Sequence, residues 1–375
     1  MLANAYMAKI TTAMKRMISH HDIWITTIPS GLRFLRSPQD RLKPAAANCV
    51  QAGTRIGGLA LAAAPWDLVM ATSGRPGHEH ERRPLMSRRP ESTARRYGKV
   101  FDEIAAEYDR HRPAYPDSLI DRACQVAGIG RGDHVLEVGC GSGQLTRALL
   151  ARGLRVTAVE PGQNLIALAR RNLDGAGAVE FVNAQFEDAV LPREQFQAVF
   201  SASAFHWVNP EVSWQKAADV LVPGGTLALV QYFGLEEPRS EEDQEAVLAA
   251  MRKVAPDIAA HWPAYRDLDA TLAGVEQRRG NVSRAWAWLG SYDIGQDYAD
   301  ALFGDVQVAV MPKLLEHTPD EVNAVIRTMS FYARLSPDQR AALEREYEAV
   351  YERLGRPIRA SVVAALVTAR RNGHE

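Results

Sequence analysis

The chain is predicted to fold as an α/β protein with a doubly wound, mostly parallel seven-stranded sheet, helices on both faces and an antiparallel edge strand. Two observations carry this expectation. Between residues 134 and 232 short apolar runs alternate with amphipathic segments, the pattern of buried strands joined by crossover helices. The first run, Val135-Leu136-Glu137-Val138, passes directly into the turn Gly139-Cys140-Gly141-Ser142-Gly143, which opens a helix.

The elements follow in order. Residues 99–111 set Val100, Phe101, Ile104, Ala105 and Tyr108 at helical spacing, and Arg112-Pro113 ends that helix. A second helix after Pro116 carries Leu119, Ile120, Ala123 and Val126 on one face and stops at Gly128 and Gly130. Strands are expected at 134–138, 155–159, 179–183, 198–203 and 226–232, and helices at 144–151, 163–173 and 211–221. Beyond Phe233 a polar helical stretch and a segment with Trp262, Trp286 and Trp288 interrupt the alternation. Residues 306–315 resume as a strand. Thr318-Pro319-Asp320-Glu321 and Ser336-Pro337-Asp338-Gln339 then read as capping boxes with proline at the first helical position. Residues 362–367 form a last β-like run, so the final two strands are expected to pair as an edge hairpin whose connection contains helices.

Residues 1–90 show no sustained period and are read as disordered, or as an extension whose first 85 residues are not translated, with Met86 as the true start. An organelle-targeting segment is the alternative, since Lys9, Lys15, Arg16, Arg33 and Arg36 outnumber the acids there. Residues 91–375 then make one domain, with a ligand-binding core at 132–233, an insertion at about 234–303 and closing strands and helices at 304–371.

At 375 residues and a formal net charge of -1, the chain has no overall basic field to gather nucleic acid or an anionic membrane. A small-molecule partner is the simpler expectation. Cys49, Cys124 and Cys140 follow no disulfide or zinc spacing, so no metal is expected and a reducing, cytoplasmic setting fits. No apolar stretch approaches the roughly 20 residues of a membrane helix.

The glycine turn carries the chemistry. Glycines let the backbone approach a ligand, and the amides at the helix start favour polar or anionic atoms. The dinucleotide pattern G-x-G-x-x-G fails because Gln144 stands where its third glycine belongs; the spacing is Gly139, Gly141, Gly143. Glu137, two positions before the first glycine, suits an ammonium group better than a diphosphate. The second strand ends in Glu160, which can accept hydrogen bonds from both hydroxyls of a ribose, the alternative being an acid that merely faces solvent.

These residues resemble the class I S-adenosylmethionine-dependent methyltransferases, specifically the type 11 small-molecule group that includes trans-aconitate methyltransferase-like proteins. The resemblance covers about residues 95–371. It implies a Rossmann-like sheet, S-adenosylmethionine as cofactor, and a small methyl acceptor. Glu137 and the Gly139 to Gly143 turn would hold the methionine end and Glu160 the ribose. The segment Gln185-Phe186-Glu187 falls where similar proteins line adenine, although Gln185 replaces a common Asp. Tyr108-Asp109-Arg110-His111-Arg112-Pro113-Ala114-Tyr115-Pro116 looks like the family's lid, implying that Tyr108 and Arg112 close over the cofactor and that Arg112 pairs with its carboxylate. The bland alternative is a helix-ending turn with a solvated arginine.

His206, after the fourth strand in Ser203-Ala204-Phe205-His206-Trp207, is the candidate catalytic base, with ordinary packing as its alternative. Tyr292, Tyr298 and the tryptophans of the insertion are expected to wall the acceptor or to pack the core. A nucleic-acid methyltransferase is opposed by the absence of an N-P-P-Y type motif, and a nicotinamide dehydrogenase by the missing third glycine. A non-catalytic regulatory protein that binds the cofactor stays open.

Overall fold

A computed structural model describes residues 23–28, 31–36, 100–262, 265–292 and 294–373, the first two segments as backbone. Two short helices, α1 (Val100–Glu103) and α2 (Ala105–His111), replace the single helix expected there, the chain breaking at Ile104 with φ -111° and ψ 24°. Helix α3 (Asp117–Ala127) ends as predicted, on a left-handed Gly128. Strands and helices then alternate as β3 (His134–Val138), α4 (Gln144–Ala151), β4 (Arg155–Val159), α5 (Gln163–Asn172), β5 (Val179–Val182), β6 (Phe196–Ala202), α6 (Pro210–Val220) and β7 (Leu221–Gly234). The insertion is helical: α7 (Glu241–Val254), α8 (Pro256–Ala259), α9 (Leu268–Glu276), α10 (Val282–Gly290) and α11 (Ala299–Leu302). Strand β8 (Phe303–His317), helices α12 (Pro319–Arg327) and α13 (Pro337–Leu354), and β9 (Ile358–Arg371) complete the domain.

Within residues 1–90, expected to be disordered or an untranslated extension, two short segments are described. Strands β1 (Ile23–Ile28) and β2 (Gly31–Arg36) form an antiparallel hairpin, and β1 pairs with β8. Among the described residues the sheet thus has nine strands, in the order β2-β1-β8-β9-β7-β6-β3-β4-β5. The seven from β3 onward are those expected. The run β5-β4-β3-β6-β7 is parallel throughout. Antiparallel pairing is confined to the other side, where β9 inserts between β7 and β8. The rest of the first 90 residues, Met86 included, lies outside the described residues.

Strand alternation sorts the core into two layers. On one face Leu136, Val138, Val199, Leu227 and Leu229 meet Trp214 of α6 and Trp286 of α10. On the other, Val135, Phe200, Ala228 and Val230 meet Leu119 and Ile120 of α3 and Leu149 of α4. Glu137 shares this second face, and Gln231 the first. A third cluster joins α7 and α8 to α12 and α13, through Met251, Met329, Phe331, Leu343 and Tyr347.

Both capping boxes form: Thr318 and Ser336 accept from the third helical amide, and Glu321 and Gln339 reach back to the cap. A denser cap holds the insertion. Asn281 Oδ1 accepts from the amides of Ser283 (3.0 Å) and Arg284 (3.2 Å), while its Nδ2 donates to the carbonyls of Gln296 (3.0 Å) and Asp297 (3.1 Å). That side chain is buried and ties α10 to the segment leading into α11. Asn281→Ala is therefore expected to cost about 2 kcal/mol, the upper end for a helix cap, since two carbonyls lose their donors as well. Chemical denaturation of the two proteins measures it.

Candidate functional site

The glycine turn is left-handed at every glycine: φ is +71° at Gly139, +55° at Gly141 and +91° at Gly143. At Gly139 and Gly143 space as well as φ demands glycine. A Cβ on Gly139 would stand 2.3 Å from the Cβ of Ala204, and one on Gly143 2.8 Å from Leu173 Cδ1. Gly141 differs, because a Cβ there would meet only the edge of the Tyr108 ring, at 3.9 Å. The turn thus packs tightly at its two ends and opens a cradle at its centre.

Two buried carboxylates flank that cradle. Glu160, at the end of β4, accepts from the amide of Gly141 (3.0 Å) with one oxygen and from that of Gly162 (2.9 Å) with the other. Burial pushes its carboxyl up to about 7 despite those two bonds, with Asp102 adding to the rise. Glu137 is 1% exposed and accepts a 2.6 Å bond from the Thr146 hydroxyl of α4. Burial raises it to about 8, Thr146 opposes the shift, and the charge of Glu160 adds to it. A carboxylate has about four lone-pair sites, so each acid keeps acceptor capacity beyond these bonds.

Helices α1 and α2 cover the turn. Asp102 accepts from the amides of Asn164 (2.7 Å) and Leu165 (3.0 Å), capping α5 from outside the helix. Helix α5 needs this, because Gly162 at its own cap position has no side chain to offer. Asn172 Nδ2 donates to Asp109 (3.1 Å) and to the carbonyl of Ser142 (3.1 Å), fastening α2 to the turn. Phe101 packs edge-on against Tyr108 (5.5 Å) and Trp207 (5.7 Å). Asp102 and Thr146 escaped the sequence reading; the readable signal for Asp102 was the lack of a capping side chain ahead of α5.

Arg112, which the lid resemblance assigns to the cofactor's carboxylate, is tied to the end of α12. Its Nε donates to Thr328 Oγ1 (3.0 Å) and its Nη2 to the Thr328 carbonyl (2.8 Å), and its guanidinium lies 5.0 Å from the Tyr108 ring centre. Thr328 ends α12, whose last carbonyls attract a cation. Of the residues expected at adenine, Phe186 is 2% exposed and belongs to the core beneath Lys216. The turn in which Asp188 and Ala189 both donate to the Gln185 carbonyl sends it inward, leaving Gln185 half-buried at the surface. Glu187 accepts from the amide of Asn209 (2.8 Å) ahead of α6.

His206 lies in a short 3-10 turn, Phe205–Trp207, two residues beyond the Ala204 that touches Gly139. It is buried, and its ring stacks on Tyr292 of the insertion at 4.5 Å and 10°. Gln231 Nε2 donates to the Tyr292 hydroxyl. Across β6, Tyr115 donates to Ser203 Oγ (2.7 Å), and Ser203 holds a left-handed φ of +52°. Tyr115 stacks on Tyr232 at 5.8 Å, and burial raises both phenols, Tyr232 to about 12. The sequence singled out neither Tyr232 nor Ser203. Among the described residues no group of three His, Cys, Asp or Glu side chains has the arrangement of a metal site, and no helix is long and apolar enough to cross a membrane.

Parts of the chain are similar to known proteins. A family profile described as a methyltransferase domain matches residues 136–229, from β3 to the middle of β7. An uncharacterised methyltransferase of Mycobacterium tuberculosis is 36% identical over 130 residues, 35% of this chain and 51% of that protein. A demethylmenaquinone methyltransferase of Clavibacter sepedonicus is 28% identical over 182 residues, 46% of this chain and 73% of its own. The chain thus spans about half the length of the first of these relatives. Among solved structures, the YcgJ protein of Bacillus subtilis aligns with a TM-score of 0.41 at 14% identity, covering 69% of this chain and 100% of that one.

The raised carboxyls have a consequence for folding. Glu137 holds its proton up to about pH 8 in the folded protein but only to an ordinary 4.5 when exposed, so between those values the folded state binds more protons. Its contribution to stability is full below pH 4.5 and is lost as pH rises toward 8. Glu137→Gln, which keeps an acceptor for Thr146, is expected to melt like the parent at pH 4.5 and increasingly above it from pH 6 to 9; parallel melting curves across that range would expose the idea.

Proposed function

We propose that the chain, whose residues 136–229 match a methyltransferase domain, is a class I S-adenosylmethionine-dependent methyltransferase of the type 11 group and moves a methyl group from S-adenosylmethionine to an oxygen, nitrogen or carbon atom of a small-molecule acceptor. The observation that carries this reading is the coupling of the left-handed Gly139, Gly141 and Gly143 to the clamped carboxylate of Glu160. A nucleoside carrying a cationic amino-acid end fits such a cradle: hydroxyls for Glu160, positive charge near buried Glu137, and a bare Gly141 backbone where a side chain would intrude.

The bound cofactor supplies an electrophilic methyl group on a positively charged sulfur. What the chain contributes is alignment and exclusion of water, which together account for up to about 7–11 kcal/mol of a barrier when two reactants are held in line. Glu137 and Glu160 favour a cationic ligand, the turn at Gln185, Phe186 and Glu187 is assigned to the adenine end, and Tyr108 covers the cradle. Arg112 is assigned to fasten the lid through Thr328. His206 is assigned the acceptor's proton: as the nucleophile bonds to the methyl carbon and the carbon–sulfur bond breaks, its ring nitrogen takes the hydrogen from an O–H or N–H. We also assign the protein to the cytoplasm; the two described cysteines, Cys124 and Cys140, are free and buried.

Calorimetric titration with S-adenosylmethionine tests the cofactor. Gly141→Asn is the control, since asparagine tolerates φ +55° and its side chain would fill the cradle without a clash. Micromolar binding by the parent and none by the folded variant is expected. Affinity should rise with proton release from pH 6 to 9, because carboxyls held near 7 and 8 must ionise to face a cation; binding equal in both proteins would overturn the reading. For His206, the variant His206→Phe keeps a ring to stack on Tyr292 but has no nitrogen. Product formation should fall about a hundredfold or more at unchanged cofactor affinity, and full activity would remove the base. Cofactor binding without turnover on any acceptor would favour the regulatory alternative.

A further inference from the structure

The insertion carries a cleft of about 590 Å³ that the cradle does not use. Among the described residues its lining includes Arg266, Arg278, Arg284, Trp288, Ser291 and Tyr292, and no acidic side chain. Arg284 is paired with Asp297. The other two arginines are different: among the described residues neither Arg266 nor Arg278 has a carboxylate at ion-pair distance.

Both guanidiniums lie against one indole, with Arg266 3.7 Å and Arg278 4.2 Å from the centre of the Trp288 ring. Trp288 is itself fixed, its Nε1 donating to the Thr271 carbonyl at 3.1 Å and its ring filling the space above Gly274. Arg266 is held by the Trp288 carbonyl (3.1 Å) and Ser291 Oγ (3.2 Å), and Arg278 by the Gly274 carbonyl (2.9 Å). These bonds leave several of the ten N–H donors of the two forks for a ligand. Burial and the charge of Arg278 both press down the pKa of Arg266, the signature of like charges held together in a half-dry place. An oxyanion relieves that repulsion, and planar forks match carboxylate or phosphate geometry.

Position ties the cleft to the chemistry. Tyr292 lines it and stacks on His206, so a single aromatic ring separates the two arginines' cleft from the residue assigned the proton. The volume is that of a small-metabolite pocket.

We propose that this cleft is an oxyanion subsite, in which Arg266 and Arg278 grip a carboxylate or phosphate group of the methyl acceptor against Trp288. That the anion belongs to the acceptor rests on the methyltransferase reading; that the cleft binds an oxyanion does not. The full chain is titrated at low salt with inorganic phosphate and, separately, with citrate, in the parent, in Arg278→Gln, and in Arg193→Gln as a control that removes an exposed arginine elsewhere. At least one of the two anions should bind the parent and the control alike, and about tenfold or more weaker to Arg278→Gln, the scale of one charge-assisted partner. The stronger of the two tells a phosphate from a carboxylate acceptor. Arg278→Lys, which keeps the charge but not the fork, should fall between. Equal binding by parent and Arg278→Gln, or by neither, at matched melting temperature overturns the subsite. S-adenosylmethionine titrated in parallel separates the two ideas: its failure to bind while phosphate or citrate still discriminates sinks the methyltransferase reading and spares the cleft.

Discussion

The reversal of strand order at β3 is the constraint on which the site depends. The chain builds outward from β3 through β4 to β5 and then returns to lay β6 on the other side of β3. Connections leaving the ends of β3 and β6 must therefore part in opposite directions, and the crevice between them is where such sheets bind ligands. The parting is close, with Ala204 lying directly on Gly139. No side chain fits there, and the backbone must turn left-handed at once. The same turn brings the Gly141 amide over β4, within reach of Glu160. The glycine spacing, the clamp and the cradle are thus one consequence of the strand order.

A second consequence is electrostatic. The crevice is dry enough to raise Glu137 to about 8 and Glu160 to about 7, while in the cleft of the insertion Arg266 and Arg278 have no carboxylate at ion-pair distance among the described residues. A formal net charge of -1 conceals this separation. The two arginines form a local positive excess, and the two carboxyls resist ionisation until a positive charge faces them. A cation is favoured at one region and an oxyanion at the other.

What was legible in the sequence was local. The apolar runs, the glycine turn and the two capping boxes depend on residues a few positions apart, and they formed where expected. What was missed depends on distant partners. The pairing of β1 with β8 joins distant stretches of the chain, which no local period marks. The motif around Arg112 says nothing of Thr328, 216 residues away. The segment from Gln185 to Glu187 likewise says nothing of the turn that buries Phe186. The insertion of β9 between β7 and β8 is a matter of non-local register, which periodicity does not encode.

A row of rings joins the two charged regions. Tyr108 touches Phe101, Phe101 touches Trp207, Trp207 neighbours His206 at 4.9 Å, and His206 stacks on Tyr292 at the wall of the cleft. Such contacts contribute about 0.5–1.5 kcal/mol each beyond their burial, too little to hold a domain but enough to fix orientation. The lid, the 3-10 turn and the insertion come from three separate stretches of chain, and no strand pairing sets their mutual positions. The rings do. His206 occupies the middle of that row, so its place relative to the cradle is set on one side by the lid and on the other by the insertion. Recognition at either end is therefore registered on the residue proposed to accept the proton.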